Sequence, residues 1–189
     1  ELIRDKDFTG KFGKISMIRL KGKIKRLLLI GLGKKEEFNL NKAREAAGKA
    51  AVYARDHEIK EFSILLFDNL KPYDSAYCII EGIRLSLYHF IDFKTQELDE
   101  FKSVKQVTIV ANGNNFVEID SAIKKSLVVT DAVNYVRDLQ NKPSNIVTPT
   151  YLAEEAKRIA KKLDLKCKIL ERKDMEKLGM GGILAVNRG

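Results

Sequence analysis

The sequence contains few of the residues that form disulfides and bind metals. Its 189 residues include two cysteines, two histidines and no tryptophan. Cys78 and Cys167 lie far apart in the chain, which excludes a disulfide framework and a cysteine-based zinc site. Both cysteines are predicted to pack in the core, and His57 and His89, which have no partner at ligand spacing, to be structural. Such sparse cysteine usage is typical of a reducing, cytoplasmic environment.

Long hydrophobic runs are also absent. The longest, residues 27–32, has the length of a strand, whereas a membrane-spanning helix needs about 20 apolar residues. The basic N-terminus is not followed by an apolar stretch that would indicate a signal peptide. The sequence therefore predicts no membrane partner.

Basic residues exceed acidic ones by 35 to 26, and the excess lies at the N-terminus. Residues 1–35 carry a net charge of +8, which leaves +1 for the remaining 154 residues. A basic segment of this kind can bind nucleic-acid phosphates by charge alone. Solvated strand edges are also commonly rich in lysine, because charge blocks edge-to-edge pairing. We favour the strand-edge interpretation and keep DNA binding by residues 1–35 as an alternative.

The first 113 residues show the pattern of an α/β layered domain. Two helices are predicted, one capped by Asn39 with an alanine-rich face that packs on a sheet, and one over residues 73–90. The first two strands are predicted to form a hairpin, and its second strand is predicted to be buried on both faces. The strand at residues 62–67 is also predicted to be buried, and a further short strand follows it. The predicted strands are residues 13–20, 26–32, 62–67 and 106–110.

Beyond residue 113 the pattern predicts a long helix, a linker and a second α/β unit. The helix covers approximately residues 115–138, and the most loop-like segment, residues 140–145, follows it. Thr148 is predicted to cap the next helix, with Pro149 in its first turn. A strand at residues 166–170, a short helix closed by Gly179 and a strand at residues 183–186 complete the chain. About 40 residues are too few for an independent domain, so this unit is expected to be incomplete.

Sequence motifs for catalysis are absent: there is no GxSxG elbow, HExxH helix or Walker-type loop. The segment Gly31-Leu32-Gly33-Lys34 joins a strand to a helix, where backbone amides could bind a phosphate. Glu36 occupies the place of the third glycine of a GxGxxG motif, and Glu37 adds a second negative charge. We therefore favour a tight turn over a nucleotide site.

Residues 136–153, VRDLQNKPSNIVTPTYLA, resemble the interdomain signature of the leucyl (cytosol) aminopeptidase family. The family pattern is approximately R-D-L-x-N-x-P-x-N-x-x-T-P-x-x-L-A, and Lys142 stands where many members have threonine. Residues 175–189, MEKLGMGGILAVNRG, resemble the segment that enters the family's catalytic domain. Residues 26–34 and 87–94 are similar to features of its N-terminal domain, so the resemblance extends over the whole chain.

This resemblance implies a metallopeptidase parent protein. In the family, two divalent metal ions, zinc or manganese, are held by a lysine, several aspartates and a glutamate, and they activate the attacking water. These ligands and the catalytic lysine and arginine are expected beyond residue 189. No catalytic or metal-binding residue is therefore assigned in this chain, its substrate-binding residues are unknown, and no cofactor is expected in it.

The resemblance also implies a macro-domain-like α/β fold at residues 1–113, lacking its first segment. Residues 114–148 would form the interdomain helix and linker, and residues 149–189 the beginning of a truncated catalytic domain. The expected function is that of a non-catalytic part serving homo-hexamer assembly and access of peptide substrates to the active site. The alternative is a nucleic-acid- or nucleotide-binding module that uses residues 1–35 or 31–34.

Overall fold

A computed structural model describes residues 8–96 and 102–188 of the chain. It separates into two units, Glu1–Asp138 and Leu139–Gly189. Strands and helices are both present, with small sheets covered by helices in the first unit. The predicted α/β class is therefore confirmed.

The first two strands, β1 (Ile15–Arg19) and β2 (Arg26–Ile30), form the antiparallel hairpin that the sequence predicts. Ile15 lies opposite Ile30, and residues 20–25 form the connection between the two strands. The expectation that the second strand is buried on both faces is wrong, because Leu27 is 42% exposed. Only the C-terminal end of β2 reaches the core, through Ile30.

Strands β3 (Glu61–Leu65) and β4 (Gln106–Val110) pair in parallel, with Glu61 opposite Gln106 and Leu65 opposite Val110. The sequence predicted that the strand at residues 62–67 is buried, and for β3 this is wrong. The residues of both strands alternate between exposed and half-buried, because in the described structure helices cover one face of the pair.

Helices α1 (Leu40–Asp56) and α2 (Pro72–Ser86) pack against each other over the strands. The predicted cap is confirmed: the side chain of Asn39 accepts hydrogen bonds from the amides of Asn41 and Lys42, at 3.0 and 3.1 Å. Small side chains on the inner face of α1 let it approach α2 closely. Its buried alanines are Ala43, Ala46, Ala47, Ala50, Ala51 and Ala54.

Two glycines mark the closest approach of these helices. A β-carbon at Gly82 would overlap the backbone carbonyl oxygen of Arg44, and one at Gly48 would lie 3.0 Å from the carbonyl oxygen of Gly82. Arg44 also forms an ion pair with Glu81 beside this contact, and the hydrogen bond raises the pKa of the guanidinium. Helix α1 therefore packs on the strands, as expected, but its closest contact is with α2.

The long helix predicted at residues 115–138 is confirmed as α3 (Phe116–Asn141), which ends three residues later than predicted. Its buried face packs against α2 through Ile119 and Ala122, and Ser126 donates a hydrogen bond of 3.1 Å to the carbonyl of Tyr77. Val133 and Val136, closer to the C-terminal end of α3, are exposed.

The second unit contains α4 (Pro149–Lys162), α5 (Arg172–Lys177) and α6 (Gly181–Val186). Thr148 caps α4 as predicted, accepting a hydrogen bond from the amide of Tyr151 at 3.2 Å. Gly179 follows α5 with φ +66°, as expected of a residue that ends a helix.

Both strands predicted in this unit are wrong. Residues 166–170 pair with no strand in the described parts of the chain, and residues 183–186 are helical. A short apolar run fits a strand or a buried helix equally well, and only a neighbouring strand decides between them. Cys167, expected in the core of such a strand, is accordingly exposed.

Gly82→Ala should destabilise the protein, because its methyl group would overlap the backbone of α1. We expect a loss of about 1–3 kcal/mol in the free energy of unfolding, measured by urea titration with circular dichroism. The matched control is Gly182→Ala, another helical glycine, where an added β-carbon meets no atom within 4 Å. Equal unfolding midpoints for the two variants would contradict this packing.

Candidate functional site

The signature residues Arg137 and Asp138 lie near the end of α3 and contact the end of α2. Arg137 donates a hydrogen bond of 2.9 Å to the carbonyl of Leu85, and its guanidinium lies 5.3 Å from the ring centre of Tyr88. The Tyr88 hydroxyl donates a hydrogen bond of 2.8 Å to Asp138. These contacts hold the two helices together, so both residues have a structural role in this chain.

The rest of the signature forms a turn and a helix cap. The carbonyl of Pro143 accepts hydrogen bonds from the amides of Ile146 and Val147, at 2.9 and 3.0 Å. Thr148 then begins α4. Backbone geometry therefore accounts for these signature positions, with no chemistry required of their side chains.

The turn at residues 31–34 is occupied by backbone contacts. The amide of Gly31 donates to the carbonyl of Lys14 at 2.8 Å, and the amide of Gly33 donates to the carbonyl of Gly10 at 3.0 Å. A β-carbon at Gly31 would overlap the backbone of Lys11. Lys34 lies 3.7 Å from Glu37. These contacts favour the tight-turn interpretation, since the two glycine amides point at carbonyls of the preceding segment.

The basic N-terminal surface is exposed where the structure describes it; residues 1–7 of that surface lie outside the described residues. Lys21, Lys23 and Lys25 are exposed at the tip of the hairpin. Lys42 and Lys49 lie over the ring of Phe12, at 5.4 and 5.1 Å from its centre. Nucleic-acid binding by this surface stays a prediction.

The histidines have structural contacts. His57 ends α1, where its ring stacks on Tyr53 with 3.8 Å between ring centres. His89 lies 2.7 Å from a guanidinium nitrogen of Arg55. Burial, together with the positive charges of Arg55 and Lys94, lowers the pKa of His89 below its usual value.

Cys78 lies in the core between α1 and α2, as predicted. Burial raises the pKa of its thiol, so the neutral form is favoured. A buried neutral thiol packs as a small apolar side chain and is a poor nucleophile.

A cleft of about 460 Å³ lies in the first unit, between α2, α3 and the N-terminal end of β4. Its basic lining residues come from separate elements, with Arg55 on α1, Arg84 on α2, and Lys102 and Lys105 just before β4. Sequence reasoning missed this site, because its residues are scattered over 80 positions of the chain. Its aliphatic lining residues are Ile80, Ile83, Leu87, Val104, Val107 and Leu127.

Two family models match the chain. Residues 1–97 match the N-terminal domain of the cytosol aminopeptidase family, and residues 134–189 match the catalytic domain of the same family. The first match alone covers more than half of the 189 residues. The chain belongs to the cytosol aminopeptidase family.

A curated relative supports this membership. A protein of Geotalea uraniireducens, named a probable cytosol aminopeptidase, is 31% identical over 192 residues. The alignment covers 100% of this chain and 39% of that protein. The chain thus spans about two fifths of the length of this relative.

Solved structures show the same fold. A mutant of tomato leucine aminopeptidase matches with a TM-score of 0.79 and 28% identity, over 94% of this chain and 35% of that one. The bottromycin maturation enzyme BotP in complex with Mn matches with a TM-score of 0.79 and 21% identity, over 100% of this chain and 39% of that one. At this identity the likeness to BotP concerns the fold alone.

The residues that the structure describes do not fit the metal pair that the family resemblance implies. Within residues 8–96 and 102–188, no three His, Cys, Asp or Glu side chains come together as a metal site would require. In the same ranges no helix has the length and apolar character needed to cross a membrane.

His89 should titrate below its ordinary pKa of about 6.5, as measured by NMR of its ring protons. As the pH falls, His89 is protonated in the unfolded chain at a higher pH than in the folded chain. Its titration should therefore lower the free energy of unfolding below about pH 6.5. Arg55→Gln should raise the pKa of His89, because it removes a positive charge next to the imidazole ring. A midpoint that is not lowered, or that Arg55→Gln leaves unchanged, would contradict this environment.

Proposed function

We propose that this chain is the N-terminal, non-catalytic part of a metal-dependent leucyl aminopeptidase. The observation that carries the proposal is the match of residues 1–97 to the family's N-terminal domain. The likeness to tomato leucine aminopeptidase, over 94% of this chain and only 35% of that enzyme, supports it. The described residues also hold no cluster suited to a metal.

The parent protein removes N-terminal residues from peptides by two-metal hydrolysis. A pair of divalent ions polarises the scissile carbonyl and lowers the pKa of the attacking water. The family resemblance implies that the ions are zinc or manganese. This chain supplies no step of that chemistry.

The contribution of this chain is to assembly and to access to the active site. Residues 1–113 form the N-terminal domain, residues 114–148 the interdomain helix and linker, and residues 149–189 the beginning of the catalytic domain. The contacts of Arg137 and Asp138 with the end of α2 support the assignment of α3 to the interdomain helix, because they fix its course on the N-terminal unit.

The parent is a cytoplasmic homo-hexamer. Apolar side chains that are exposed in the second unit support its assignment to the beginning of a larger domain, because the rest of that domain would cover them. These side chains are Leu152 (46%), Leu163 (59%), Leu165 (61%), Leu178 (63%) and Val186 (83%).

The purified chain should not hydrolyse leucine p-nitroanilide in the presence of Mn²⁺ or Zn²⁺, because the residues described in its structure form no cluster suited to the metal pair. A commercial leucine aminopeptidase under the same conditions is the positive control. Chelator-sensitive turnover by the 189-residue chain would overturn the non-catalytic assignment. Expression of the intact gene should give chelator-sensitive turnover, and an inactive intact protein would overturn the parent activity.

A further inference from the structure

The cleft in the first unit has the size and lining of a small-molecule site. Its volume of about 460 Å³ falls in the range of about 300–1,000 Å³ that is usual for such sites. The aliphatic side chains of Ile80 and Ile83 from α2, Val107 from β4 and Leu127 from α3 provide an apolar wall. An apolar segment of a ligand would be removed from water on several sides here.

The charged residues described in the lining are all basic, and Tyr88, Ser103, Gln106 and Asn134 add neutral polar groups. Arg55, Arg84, Lys102 and Lys105 line the cleft, and no residue among those described in its lining is acidic. A ligand that enters this space therefore meets basic side chains together with the apolar wall, although most of these cations also have a carboxylate partner nearby. Charge complementarity selects an anion over a neutral or cationic ligand of the same shape.

Three of these cations have carboxylate partners outside the lining. Arg55 lies 2.8 Å from Asp56, Lys102 lies 3.2 Å from Glu58, and Arg84 pairs with Asp131. The three carboxylate side chains are between 53 and 68% exposed, so these pairs contribute little stability and leave donors for a ligand.

Arg55 is the most constrained of the four cations. Its guanidinium contacts both Asp56 and the ring of His89, and only 19% of its side chain is exposed. A cation held in place loses little conformational freedom when it binds an anion. The apolar lining residue Ile83 is 5% exposed and belongs to the core, so this side of the cleft is also fixed.

From these contacts we propose that the cleft binds a small carboxylate that carries an aliphatic chain. The carboxylate lies at the basic rim formed by Arg55, Arg84, Lys102 and Lys105, and the chain lies against the apolar wall. A free alkanoate and the carboxyl terminus of an apolar peptide share this chemistry. The site is independent of the peptidase activity proposed above.

Calorimetric titration of the chain with octanoate and with N-acetyl-leucyl-leucine tests the proposal. Saturable binding with a Kd of about 1 mM or below is expected for at least one of them. Tighter binding of octanoate identifies a free alkanoate, and tighter binding of the acetylated dipeptide identifies a peptide terminus. Octylammonium, with the same chain and the opposite charge, should bind more weakly than the better carboxylate.

The double variant Lys102→Gln/Lys105→Gln should weaken carboxylate binding by about twofold to thirtyfold. The matched control is Lys124→Gln/Lys125→Gln, which makes the same charge change on the exposed side of α3. Both pairs are exposed, so unfolding is not expected, and circular dichroism checks this. The proposal would be overturned if the two double variants bound the carboxylate with equal affinity. It would also be overturned if octylammonium bound as tightly as the carboxylate, or if no saturable binding were observed.

Discussion

The close contact of α1 with α2 determines where the other elements of the first unit lie. At Gly82 no side chain separates α2 from the backbone of Arg44, and the alanines of α1 fill the remaining interface with little bulk. Helices that approach this closely exclude water from Ile79 and Cys78, which are almost fully buried. The strands then pack across this pair through Phe62 and Val107.

The same contact determines the geometry of the cleft. Because α2 packs against α1, its other side presents Ile80 and Arg84 to the cleft, which α3 and the start of β4 also line. Arg137 and Asp138 add a second attachment, since they bind the end of α2 from α3. Two residues of the family signature therefore serve packing in this chain.

Local signals in the sequence predicted much of this fold. Helix caps such as Asn39 and Thr148 are predictable because the capping side chain accepts its hydrogen bond from an amide only two or three residues later in the chain. The hairpin and α3 follow from turn residues and from helical periodicity. The residues at 166–170 and 183–186 were predicted as strands and are not, because strand formation depends on a neighbour that the local pattern does not specify. The cleft was not predicted for a related reason: Arg55, Arg84 and Lys105 meet only after three elements have packed.

Hydrogen exchange read by mass spectrometry tests most directly whether the α1–α2 contact is the centre of the structure. Amide protection should be greatest in peptides from α1 and α2 that contain Ala46, Ala47 and Ile79, because opening them requires separation of the two helices. Peptides from α5 and α6, which contain no buried residue, should exchange much faster. Equal or faster exchange of α1 and α2 would contradict this account.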